Sequence, residues 1–181
     1  MRRLIMLMAS LCAFLTPDIG AAPRAQSQPL PGWREISWPF PRDAWPAGKA
    51  FECDAPTCGG DAVISVRVKL GFCSCDGGVR DDDEVDNVAD LDMIAPDFVA
   101  TGPGEVIQIA HFSGRIRSYE YKGINQTRRT ALGLALAHKC DLIAVSVNAP
   151  VGNALGLKEQ AILHLEARET IRWINRQLGE K

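Results

Sequence analysis

No stretch of this 181-residue sequence is long and apolar enough to cross a membrane as a helix. The longest apolar run, Leu4 to Leu15, is broken only by Ser10 and ends after twelve residues, whereas a span needs about 20. Strong charge of one sign is also missing. Lys and Arg number 20 against 22 Asp and Glu, a formal net of -2, which argues against nucleic acid or an anionic membrane as partner. The familiar catalytic signatures are absent too: no GxSxG elbow, no HExxH helix, no GxxxxGK[ST] phosphate loop, no dinucleotide fingerprint and no CxxC opening a helix. Histidine is scarce, at three residues.

What is present begins with an export signal. Arg2 and Arg3 form a short basic region, the apolar run has the length of a secretory core, and Gly20, Ala21 and Ala22 supply the small residues of a cleavage site. Cleavage is expected after Ala21, because cutting one residue later leaves Pro23 at the new terminus. The arginine pair lacks the polar flank of a twin-arginine signal, and Leu11 stands before Cys12 where lipid attachment needs a small residue. Residues 1–21 therefore read as a Sec-type signal peptide, and the protein is expected to be periplasmic or secreted. Losing Arg2, Arg3 and Asp18 takes the formal charge from -2 to -3. Residues 22–32, with "APRAQSQPLP", read as a flexible leader. Residues 33–181 form one domain, long enough to bury a core without help from metal or disulfides.

Extended segments dominate the first half of that domain. "WREISWPFPRDAWPAGKAF" holds three of the four tryptophans, and its prolines at 39, 41 and 46 forbid a long helix. Trp38, Phe40 and Trp45 are expected to plug one end of the core, with a ligand-binding aromatic patch as the alternative. In "AVISVRVKLGFCSC" the period is two: Ile64, Val66, Val68, Leu70 and Phe72 share one face, and Ser65, Arg67 and Lys69 the other. This predicts a strand with one wet side, continued by Cys73 and Cys75. Same-face neighbours lie about 7 Å apart at the strand rise, so these two cysteines are expected to bond other partners.

The period then changes. Val85, Val88 and Leu91 recur at three-residue spacing, with Asp81 or Asp82 as N-cap, acids in the first turn and Pro96 as the stop. Asp76 to Asp92 carries eight acids against Arg80 alone. No alignment of them supplies both the central glycine and the closing glutamate of a calcium loop, so a solvated acidic helix start is expected. Four strands follow: "EVIQIAHF", apolar on both phases; "GRIRSYEYKG", turning at Gly123; "TALGLALAHK", alternating Leu with Ala and Gly; and "DLIAVSVNAP", closed by Pro150. Leu157 to Leu178 predicts one long amphipathic helix, with Leu163, Ala167, Ile171, Ile174 and Leu178 as its apolar stripe.

Strands, a helix, more strands and a closing helix give an α+β fold: a largely antiparallel sheet with an acidic-capped middle helix and a long C-terminal helix packed on it. The Mog1/PsbP-like sandwich is an architectural analogy. The combination of "WPFPRDAW", "AFEC", "RVKLGFCSCDGGVRDDDE" and "RWINRQLG" resembles uncharacterised exported bacterial proteins with an AFxC…GFCxC…GVxDDxE pattern. That resemblance implies a bacterial periplasmic setting and supplies no activity, cofactor or site residue.

Five cysteines remain after cleavage: Cys53, Cys58, Cys73, Cys75 and Cys140. In an oxidising compartment they read first as structural disulfides. Cys53 and Cys58 flank the short turn "DAPT" and are placed for a local bridge, while either Cys73 or Cys75 can reach Cys140. The sharper alternative makes Cys73 and Cys75 a soft-metal site for copper(I), with His111 and His138 adding nitrogen ligands. A thiol-redox couple is the third reading. His111 falls in phase with Ile107 and Ile109 on a strand expected to be buried, and His164 falls near the polar side of the terminal helix. The basic run from Arg115 to Arg129, with Tyr119 and Tyr121 interleaved, reads as a solvated face, or as one that the acidic helix of the same chain meets. The expected function is a non-enzymatic, disulfide-stabilised protein binding a periplasmic partner or envelope component, with no cofactor. A copper or thiol protein and an enzyme with an unrecognised site are the alternatives.

Overall fold

The computed structural model describes residues 31–53, 60–72, 75–152 and 154–180. The signal segment 1–21, most of the leader 22–32, Cys58 and Cys73 lie outside the described residues. The elements are β1 (Trp33–Ile36), β2 (Lys49–Cys53), β3 (Ala62–Lys69), α1 (Asp82–Val88), β4 (Phe98–Ala100), β5 (Glu105–Ile109), β6 (Phe112–Lys122), β7 (Arg128–His138), β8 (Asp141–Pro150), α2 (Ala154–Glu166) and α3 (Arg168–Gln177). The fold is mixed α and β, built on one large antiparallel sheet. Its order is β1-β2-β3-β8-β7-β6-β4, and β5 also pairs with β6. Among the described residues no helix is long and apolar enough to cross a membrane.

Alternation in the long strands makes the sheet two-faced. One face collects Ile64, Val66 and Val68 of β3, Leu132, Leu134 and Leu136 of β7, and Ile143, Val145 and Val147 of β8. This main core is closed by Leu157, Ala161 and Leu165 of α2 and by Ile174 of α3. The opposite face carries a smaller cluster of Ala131, Ala135, Ala144, Tyr119 and Tyr121, covered by Val85, Ala89 and Leu91 on and after α1. The ambiguous run "TALGLALAHK" is thus a strand whose Leu phase fills the core and whose Ala/Gly phase makes room on the other side.

Several expectations are corrected. The terminal helix is two helices, broken at Ala167, whose ψ of 131° is extended. A continuous helix in register with Leu157, Ala161 and Leu165 would turn Arg168 and Arg172 onto the core. The break re-phases the chain so that Thr170 and Ile174 are buried instead. Strand β3 ends at Lys69 and does not run on to the cysteines: Gly71 adopts φ +68°, and its N–H donates to Asp141 Oδ1 at 2.7 Å. The face of β3 read as wet is buried, with Ser65 at 2 %, Arg67 at 2 % and Lys69 at 4 % exposure. Trp38, Phe40 and Trp45 belong to neither core cluster; Trp38 packs edge-on to Phe40, and Trp45 to Phe72. His111 is exposed on the turn after β5, and His164 is buried against Trp33 and Phe51.

Candidate functional site

The densest chemistry in the described chain lies where α1 crosses the second sheet face. Asp81 caps the helix, its carboxylate accepting from the Glu84 N–H at 3.0 Å, and Asp82, Asp83 and Glu84 fill the first turn, where the helix dipole favours negative charge. Asp82, Asp86 and Asp90 recur every four residues and face the sheet. Asp82 and Asp86 lie one turn apart on α1 and meet the cations of β6, while Asp90, in a left-handed turn just past the helix, meets those of β3. Asp82 accepts from Arg115 at 2.6 Å and from the Gly104 N–H at 2.8 Å. Asp86 accepts from Arg117 at 2.8 Å and from the Tyr119 hydroxyl at 2.5 Å. Asp90 accepts from Arg67 twice and from Lys69 once, all at 2.6 Å.

Small residues beneath α1 allow this approach. A Cβ added at Gly133 would stand 3.0 Å from Ala89 Cβ, 3.2 Å from Tyr119 and 3.3 Å from Leu91. The segment joining β1 to β2 closes the other side of the buried pole. A Cβ on Gly48 would fall 2.0 Å from the Val66 carbonyl oxygen, so glycine alone lets that backbone lie on β3. Asp43 accepts two bonds from Arg67, at 2.8 and 2.9 Å. Trp38 stacks over the Arg67 guanidinium, and Phe72 over the Lys69 ammonium.

The electrostatics follow from these partners. Burial pulls the Arg67 pKa down, but the hydrogen bonds and charges of Asp90 and Asp43 outweigh it and hold the guanidinium above its ordinary value. Burial raises the Asp43 carboxyl, and the Trp45 N–H and Arg67 overcome that to lower it. The backbone N–H of Gly104 and the Arg115 guanidinium lower Asp82. Tyr119 is pushed well above the usual phenol range, first by burial and then by Asp86, so its hydroxyl stays protonated and donates. Such an array, with each acid satisfied by a cation, fastens a helix and supplies no free base or nucleophile.

The residues singled out by sequence fall elsewhere. Cys75 and Cys140 are joined by a disulfide. Cys53 is disulfide-bonded as well. The rings of His111 and His138 stand 5.6 Å apart, and His138 Nε2 meets Glu180 Oε1 at 2.7 Å. Among the described residues no group of three or more His, Cys, Asp or Glu stands arranged to hold a metal ion. Sequence reading missed the pole of Arg67, Lys69, Asp90 and Asp43; the four-residue recurrence of aspartates from Asp82 to Asp90 was the signal for it. At the sheet edge, a cavity of about 730 Å³ is lined by Asp97, Val99, Glu120, Lys122, Gln126 and Arg128, among others.

No protein-family model and no curated protein matches the chain. Among solved structures, the chain is similar to one from Bacteroides thetaiotaomicron, with 11 % identity and a TM-score of 0.42. The match covers 74 % of this chain and 40 % of that one, so this chain spans well under half of that protein. It is also similar to LpqN, involved in cell envelope biogenesis of Mycobacterium tuberculosis, with 15 % identity, a TM-score of 0.43, and coverage of 74 % of this chain and 75 % of that one.

Proposed function

We propose that this chain is an exported, disulfide-stabilised protein of the bacterial envelope, which works by binding a periplasmic or envelope partner and not by turnover. The Cys75–Cys140 crosslink carries the reading. It joins residues 65 apart in sequence, and such bridges persist in oxidising compartments. The apparent signal over residues 1–21 agrees with it, and so does the pairing of acids with cations on the second face. The open cavity beside β4, with Val99 71 % exposed and Ile124 90 % exposed near it, is the surface this reading assigns to a partner. By the same reading, residues 33–181 are one domain, and α2 and α3 lying over an antiparallel sheet make it a Mog1/PsbP-like sandwich.

A copper(I) or thiol-redox role for Cys73 and Cys75 stands behind this proposal, because it needs both thiols free and Cys75 is bonded to Cys140. The test is mass spectrometry of protein recovered from the periplasm, alkylated under non-reducing conditions. Recovery of the processed chain with a linked Cys75–Cys140 peptide is the expected result. A chain found in the cytoplasm, or alkylated at both Cys73 and Cys75, overturns the reading.

A further inference from the structure

Strand β4 ends the sheet on one side. The Thr101 N–H donates to the Ser118 carbonyl at 2.9 Å, in the same register that pairs Val99 with Glu120. Antiparallel bonding alternates along a strand, so Val99 bonds inward to β6, while the N–H and C=O groups of Phe98 and Ala100 point away from it. Among the described residues nothing bonds those outward groups. The side chains of Phe98 and Ala100 pack against the second cluster. Val99 therefore stands on the opposite face, 71 % exposed, on the wall of the cavity of about 730 Å³.

We infer that this edge takes a short extended segment of a partner protein, added to the sheet as a further strand beside β4. The inference rests on the proposed reading that the chain works by binding a partner, and it supplies the form of that partner. Donors and acceptors alternating at strand spacing match a polypeptide backbone. The cavity wall carries no net charge, since Asp97 and Glu120 balance Lys122 and Arg128, so it favours neither an anionic surface nor a polycation. Bonding to Phe98 and Ala100 sets the incoming residue opposite Val99 at a non-hydrogen-bonded site, where cross-strand side chains come closest. A β-branched or aromatic residue there covers Val99. On the far rim, Gln126 is held at φ +58°, a conformation such a residue rarely adopts, with its side chain on the cavity wall. Pro96 and Pro103 bracket the edge. Neither has an N–H to offer, so the match is confined to the residues between them and the edge does not template open-ended pairing.

The experiment screens a displayed library of short random peptides against the oxidised, full processed chain, and the enriched peptides are synthesised and titrated. They carry a β-branched or aromatic residue at their centre, and their binding slows amide exchange at Phe98 and Ala100 while leaving β1, the opposite edge, unchanged. N-methylation of the alternate peptide residues that face β4 weakens binding at least tenfold, and methylation of the residues between them leaves it nearly unchanged. Val99→Lys, at an exposed site, weakens binding at least tenfold while melting like the parent. No enrichment over the same library panned on the Val99→Lys variant, N-methylation effects without that alternation, or protection confined to β1 or β5 overturns the inference. So does a dimer of the chain alone that Val99→Lys dissolves, which makes a second copy the occupant. These failures leave the envelope reading standing, because export and the Cys75–Cys140 crosslink are read by mass spectrometry and not by peptide binding. A chain recovered from the cytoplasm that still takes up peptides at β4 overturns that reading alone.

Discussion

Asp90→Asn removes one charge from the buried pole and alters almost nothing else. Asparagine keeps the side-chain shape and, like aspartate, tolerates the left-handed backbone at this position, where φ is +58°. The carboxylate holds Arg67 by two bonds and Lys69 by one, each at 2.6 Å, and is itself only 7 % exposed. After the substitution Arg67 keeps Asp43, but Lys69, 4 % exposed, is left with the Val88 carbonyl at 3.0 Å and no anion. Stranding a buried charge in this way costs about 3–5 kcal/mol, a large share of the 5–15 kcal/mol typical of a domain. Urea unfolding followed by circular dichroism should show the midpoint falling with little change in slope. The melting temperature should drop by about 6–20 °C at the roughly 2–4 °C per kcal/mol expected for this size. Adding Lys69→Met removes the stranded cation and should restore part of the loss. A cost below about 1 kcal/mol, or no recovery in the double variant, would refute the claim that the pole is dry and mutually satisfied.

Three further outcomes follow from the same packing. His164 has both ring nitrogens buried without a partner among the described residues, and burial lowers its pKa from 6.5 to about 4. Its neutral form is therefore the one that folds: stability should be full above pH 6.5 and decline by up to about 3 kcal/mol as pH falls toward 4. His164→Phe should flatten that slope in pH-resolved urea titrations, and a slope that survives the substitution assigns the dependence to another group. Replacing Cys75 and Cys140 together with alanine opens a loop of 65 residues and should cost about 4 kcal/mol by the loop-entropy model; equal midpoints for the variant and the oxidised parent contradict it. Gly133→Ala pushes a methyl against Ala89, Tyr119 and Leu91. It should destabilise by about 1–3 kcal/mol, whereas a stabilised variant would mean that α1 does not rest on β7.

Alternation made the sheet legible, because one phase of β3, β7 and β8 is continuously aliphatic and has to meet a core. The same logic failed on the other phase of β3. Ser65, Arg67 and Lys69 read as wet, since polarity in a strand looks the same whether the partner is water or an aspartate 21 or 23 residues away. What covers that phase was written elsewhere, in the Ala/Gly phase of β7 that leaves room for a helix and in the spacing of Asp82, Asp86 and Asp90. The basic face of Arg115 and Arg117 was read with the acidic helix as one candidate cover, and the structure joins them. The closing helix was misjudged because its stripe was phased on α3: Ile174 is buried there, but Leu163, carried into the same stripe, is exposed, and the buried face of α2 is Leu157, Ala161 and Leu165. His164 shares that cause: phased with Leu163 it looks polar, but it lies on the buried face of α2 beside Ala161 and Leu165 and faces Trp33 and Phe51.

The cysteine motif and the acid run that follows it act together. Helix α1 has seven residues, and helices below about 12 residues are marginal on their own in water, so something outside the helix has to hold it across the sheet. The disulfide ties the chain just ahead of it, at Cys75, to the β7–β8 turn at Cys140. The buried Asp90 fixes the chain just behind it to β3. Between these ends, Asp82 and Asp86 add ion pairs and Val85 and Ala89 add apolar contact. With one end bonded covalently and the other by buried charge, α1 is placed by its flanks more than by its own propensity. Reduction should therefore loosen α1 before the main core, with amide exchange rising across Asp82–Val88 while β7 and β8 stay protected. Uniform exchange across both regions on reduction would instead make the disulfide a global brace and remove the local role given to Cys75.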